Sequence, residues 1–87
     1  RRLLVMHVSN LDEFIAFVAD LGFEVETFSR RFSGYTDIFI TGYGISHMIS
    51  FPVLRSSQDL SPADRYLCYE VSCLLRDISL IAKIMSV

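Results

Sequence analysis

The apolar and polar positions of the chain change period along its length, and each change marks an element. Between 11 and 21, Leu11, Phe14, Ile15, Val18 and Leu21 recur at helical spacing and leave Asp12, Glu13 and Asp20 towards water. Both ends of this stretch are punctuated. Asn10 has the form of an N-cap, Asp12 and Glu13 occupy the first turn, where carboxylates complement free N–H groups, and Glu13 at N3 can reach back to the cap. Gly22 follows Leu21 where a residue of positive φ ends a helix. The spacing therefore predicts a helix over 11–21 lying on something flat and apolar.

On either side the pattern reads as strand. Residues 3–9 (LLVMHVS) form a continuous apolar run, expected to be a strand buried on both faces. Residues 23–32 (FEVETFSRRF) alternate, with Phe23, Val25 and Thr27 on one face and Glu24 and Glu26 on the other, as in a strand near a charged edge. Ser33-Gly34 turns the chain into a strand over 35–41, and Gly42-Tyr43-Gly44 turns it into another over 45–51, which Pro52 stops. Residues 54–62 (LRSSQDLSP) form a polar connector. The remainder supports two readings. Ser61-Pro62-Ala63-Asp64 has the form of an N-cap, a proline at N1 and an acid at N3, and Leu67, Val71, Leu74, Ile78, Ile81 and Met85 follow at spacings of four and three, which predicts one long helix. Residues 66–72 (YLCYEVS) are dense in β-formers, which predicts a strand followed by a shorter helix over 74–85.

Size and composition narrow the picture. Eighty-seven residues make one domain with a modest core. A hydrophobic fraction of 52% and a mean hydropathy of +0.42 are high for a small domain, and imply apolar surface covered by a second subunit or by further chain. A homodimer is the expectation. The net charge of −2, with Arg and Lys scattered, offers no basic stripe for phosphate neutralisation, so no nucleic-acid partner is expected. No apolar run reaches the roughly 20 residues of a bilayer span, and the N-terminus does not read as a signal peptide. Cys68 and Cys73 form no CxxC motif and read as reduced thiols. A soluble, cytoplasmic protein with no membrane partner is expected. Because the chain opens at Arg1 rather than Met, it is expected to be trimmed or part of a longer one.

Read as strand, helix and three strands, residues 3–53 form a βαβββ unit. The phrase VSNLDEFIAFVADLGFEV resembles the V-x-D-L-x-x-x-x-x-F-Y-x-x-x-L-G-F opening of the vicinal oxygen chelate superfamily of glyoxalases, extradiol dioxygenases and bleomycin-resistance proteins, with Asn10 for the usual Asp and Val18 for the usual Tyr. DIFITGYGISHMISF is similar to that family's third and fourth strands, and RYLCYEVSCLLRDISLI to the opening of a second unit. On this comparison the strand-then-helix reading of 63–87 is preferred to the single helix. The fold expected is α+β: a βαβββ unit (3–53), a connector (54–62), and either the start of a second unit or one C-terminal helix (63–87), completed by dimerisation.

The resemblance also implies where metal ligands would fall. Three of the family's four positions are taken here by Leu3, Ile49 and Tyr66, and the fourth lies past Val87. The aliphatic side chains of Leu3 and Ile49 carry no lone pair for a cation, so no metal, cofactor or catalytic residue is assigned. His7 and His47 share parity, but the resemblance sets them about six residues, or roughly 20 Å, apart along neighbouring strands, too far for a shared ion. No GxSxG elbow occurs, and Gly42-Tyr43-Gly44 reads as a turn. Tyr35, Phe39, Phe51, Tyr66 and Tyr69 read as core more readily than as recognition surface. The function implied is that of the resistance branch: a metal-free protein that sequesters a small organic ligand in a groove between two copies, with His47, Phe51, Tyr66 and Tyr35 lining it. Two alternatives stand beside it. One is an interaction module that docks through an exposed apolar C-terminal helix. The other is a metal-dependent lyase or dioxygenase whose ligands lie outside this chain.

Overall fold

A computed structural model describes residues 8–86 as a three-stranded antiparallel sheet with two helices. In chain order these are α1 (Leu11–Asp20), β1 (Glu24–Arg30), β2 (Tyr35–Gly42), β3 (Ile45–Phe51) and α2 (Pro62–Met85). The α+β class and the β1-β2-β3 meander agree with the alternation in the sequence. The expected first strand falls largely on residues 1–7 and, with His7, lies outside the described residues. Val8 and Ser9 have no regular secondary structure.

The cap of α1 is built as its sequence requires, with one difference. Asn10 Oδ1 accepts the Glu13 N–H at 3.0 Å, whereas Glu13 Oε1 reaches past the cap to accept the N–H of Ser9 at 2.8 Å and its hydroxyl at 3.0 Å. Leu11, Phe14, Phe17 and Val18 are buried on the helix face towards the sheet. There they meet Phe23, Ile38, Ile40, Ile49 and Phe51, and Phe14 packs edge-on against Phe51 with ring centroids 6.2 Å apart. Each fully buried large side chain in this layer contributes about 1.5–3 kcal/mol.

Register fixes the two sheet faces. Thr36 pairs with Phe51, Ile38 with Ile49 and Ile40 with His47, so these share the inner face. Asp37, opposite Phe28 and Ser50, and Phe39, opposite Glu26 and Met48, share the outer one. The β2–β3 hairpin closes through Tyr43 and Gly44, both at positive φ (+52° and +81°), as the twist of a two-residue hairpin demands. The connector is fastened to the start of α1, because Ser56 O accepts the Asp12 N–H and Ser9 O accepts the Leu60 N–H, each at 3.0 Å.

The C-terminal quarter corrects the preferred expectation: residues 62–85 form one helix, with no strand at 66–72. Ser61 Oγ accepts the Asp64 N–H at 3.2 Å, and Pro62 begins the helix without needing a donor. Burial then follows a helical period, through Cys68, Ser72, Leu75 and Ser79. A strand over 66–72 would have placed Glu70 on the same face as buried Cys68 and Ser72, and Glu70 is exposed. The opening strand of a second βαβββ unit is therefore absent from 66–72.

Candidate functional site

The four residues expected to line a groove are distributed over different surfaces. Phe51 is fully buried against Phe14 and belongs to the core. His47 stands opposite Ile40 on β3, at the edge of the sheet among the described residues, and is exposed. Tyr35 pairs with Arg30 and has the parity of Asp37, on the sheet face opposite to that of His47 and Phe51. Its ring lies under the Arg30 guanidinium, 5.5 Å from centroid to Cζ. Tyr66 lies on α2, beside Tyr69 at a centroid separation of 6.1 Å. With Pro62, Arg65 and Tyr69 it lines an open hollow of about 470 Å³. Glu70, one turn further along α2, raises the Tyr66 hydroxyl above its ordinary pKa by its negative charge. Of the aromatics read as core, Phe51 alone is buried, while Tyr35, Phe39, Tyr66 and Tyr69 are exposed.

Among the described residues two apolar surfaces are exposed. The first runs along α2. Its buried face carries the small or polar side chains Cys68, Ser72 and Ser79 around Leu75, whereas the stripe at four-three spacing points largely outward. Leu67 is 37% exposed, Leu74 60%, Ile81 56% and Met85 79%, and Val71 and Ile78 are partly covered by the core. Apart from Leu75, the helix therefore puts its larger aliphatic residues beside its inward face, not on it.

The second is the outer face of the sheet. Phe28, Phe39 and Met48 are exposed there, and Phe28 and Phe39 pack edge to face with centroids 5.6 Å apart. Beside them Asp37 takes a two-point ion pair from Arg30, at 2.8 and 2.9 Å, and a 2.6 Å bond from the Ser50 hydroxyl. The Ser50 bond first, and the Arg30 contacts after it, hold the Asp37 carboxyl below its ordinary pKa. The sequence held a signal for this patch. Phe28 shares the parity of Glu24 and Glu26, so alternation already placed a large aromatic on the solvent side.

Cys68 and Cys73 are free thiols, and burial, with the charge of Asp64, pushes the Cys68 thiol up to about 12. Among the described residues no group of three or more His, Cys, Asp and Glu is placed to hold a metal ion. No helix among them is long and apolar enough to cross a membrane. Compared with known family models, curated proteins and solved structures, the chain matches none, so the vicinal oxygen chelate resemblance rests on residue pattern alone.

Proposed function

We propose that this chain is a protein–protein interaction module that docks through the apolar stripe of α2. The observation that carries the reading is the exposure of Leu67, Leu74, Ile81 and Met85, which with the partly buried Val71 and Ile78 make a stripe of four-three spacing along a capped helix of 24 residues. An amphipathic helix laid into or against a partner uses anchors at this spacing. The chain's own core does not need them, because α2 reaches it through Cys68 and Leu75. Two free thiols suit a reducing compartment such as the cytoplasm.

Sequestration of an organic ligand, the function implied by the resemblance, keeps one observation in its favour. Tyr66 and Tyr69 line the hollow of about 470 Å³ at the start of α2. Its openness to solvent and the scatter of His47, Phe51 and Tyr35 make it the second reading.

The docking reading is tested with Leu74→Lys/Ile81→Lys. A stripe reserved for a partner tolerates both changes, so the variant should keep its far-UV circular dichroism and melt within a few degrees of the wild type. It should also be retained less strongly than the wild type on a hydrophobic-interaction column. Loss of the fold would show that the stripe serves the chain's own core, and the reading would fall.

A further inference from the structure

We infer that the stripe of α2 pairs with the same stripe of a second copy, the two helices running parallel as a short two-stranded coiled coil. The inference rests on the docking reading and names its partner.

In heptad terms Leu67, Leu74 and Ile81 fall at d and Val71, Ile78 and Met85 at a. A β-branched residue at a with leucine at d is the combination that favours two parallel strands over higher orders. Val71 with Ile78 and Leu67 with Leu74 supply it over the central turns. The seam is continuous, with no polar residue at an a or d position between 67 and 85.

Position g carries Glu70, Asp77 and Ile84, all exposed, while position e carries Cys68, Leu75 and Ala82, turned towards the chain's own body. In an antiparallel pair g faces g and e faces e, which would set Asp77 against its own counterpart and crowd both bodies onto one side of the helix pair. In a parallel pair g faces e, and like charges are kept apart. With e committed to the body, the two sheets lie on opposite sides of the helix pair.

The exposed parts of the a and d residues, with Ile84 beside them, offer roughly 500–650 Å² per copy, at the lower end of what each partner gives to a standard interface. A two-fold pairing uses the same patch on both copies and closes without leaving a further seam open.

Sedimentation equilibrium at tens of micromolar should find the wild type at twice the monomer mass of 9.9 kDa. Leu74→Lys/Ile81→Lys should sediment as a folded monomer. Orientation is read in a Cys73→Ser background, where buried Cys68 is shielded from oxidant. Met85→Cys should then form a disulfide-linked dimer under mild oxidation, because parallel helices bring position 85 of each copy together. A monomeric wild type still retained on the hydrophobic column overturns self-pairing and leaves docking on another protein. A dimer that survives both lysines overturns the seam and moves the contact to the Phe28–Phe39 face. Cross-linking in a mixture of Leu67→Cys and Met85→Cys chains, but not of Met85→Cys with itself, overturns the parallel arrangement. If the lysine variant unfolds, the docking reading fails and the Met85→Cys cross-link still decides self-pairing.

Discussion

The Tyr43 hydroxyl donates a 2.6 Å hydrogen bond to the backbone carbonyl of Leu21, tying the β2–β3 hairpin to the end of α1. Ser79 Oγ of α2 donates to the same oxygen at 2.8 Å. One orphan carbonyl at a helix C-terminus thus gathers three elements. The bond also accounts for an unusual backbone: Tyr43 is held at a φ of +52°, where bulky residues are rarely found, and its ring packs edge-on to Phe23 at 5.0 Å.

Tyr43→Phe and Ser79→Ala should each cost about 1 kcal/mol in denaturant unfolding, the usual net value of one such bond. Together they should cost more than their sum, because only the double variant leaves the Leu21 carbonyl without a donor. Strictly additive losses would mean that water replaces both donors freely and that the junction is not a structural node.

Gly22 sits against the same junction. Its φ of +106° is strained for any L side chain, and a Cβ at 22 would overlap the Tyr43 hydroxyl. Gly22→Ala should therefore destabilise by about 2 kcal/mol or more, combining backbone strain with displacement of Tyr43. In a Tyr43→Phe background the increment should shrink, since the overlapping oxygen is gone. An unchanged melting temperature for Gly22→Ala would show that the chain leaves α1 along another path.

How far the sequence disclosed the fold depended on whether the deciding contacts were local. Asn10, Glu13 and Gly22 mark the ends of α1 through bonds and dihedrals within a few residues, and the turn glycines delimit β2 and β3 in the same way. At 66–72 the local signal misled. Tyr66, Tyr69 and Val71 favour strand in isolation, but burial of Cys68, Ser72, Leu75 and Ser79 on one face outweighs that preference, and Ser61-Pro62 had already capped a helix. The candidate site was less legible for a related reason. Parity can be counted within one strand, but which face of one strand matches which face of the next depends on pairing register. That register puts Tyr35 across the sheet from His47 and Phe51.

The Asp37 carboxylate, bonded to Ser50 and Arg30, predicts an acid limb in stability. Its folded pKa is lowered from an ordinary value of 3.8. The unfolded chain therefore binds the proton more readily, and the stabilisation is complete above the ordinary range and lost as pH falls through the lowered value. Asp37→Asn should flatten that limb, and Ser50→Ala should move the carboxyl titration upward towards 3.8, both followed by carboxyl NMR and acid unfolding. A carboxyl that titrates at its ordinary value in the wild type would remove the basis for the prediction.

Ser72 and Ser79 lie two helical turns apart on the buried face of α2, and their hydroxyls are in opposite situations. Ser79 Oγ has the Leu21 carbonyl, whereas Ser72 Oγ is buried with no partner among the described residues. An unpaired buried hydroxyl costs roughly 1–3 kcal/mol of desolvation, and alanine removes that cost while leaving almost the same volume and a better helix former. Ser72→Ala should accordingly stabilise the protein by about 1 kcal/mol while Ser79→Ala destabilises it by a similar amount. Opposite signs from the same substitution seven residues apart test the register of α2 itself. A helix rotated by a quarter turn would bring both serines towards solvent, and both substitutions would then fall within about 0.5 kcal/mol of zero.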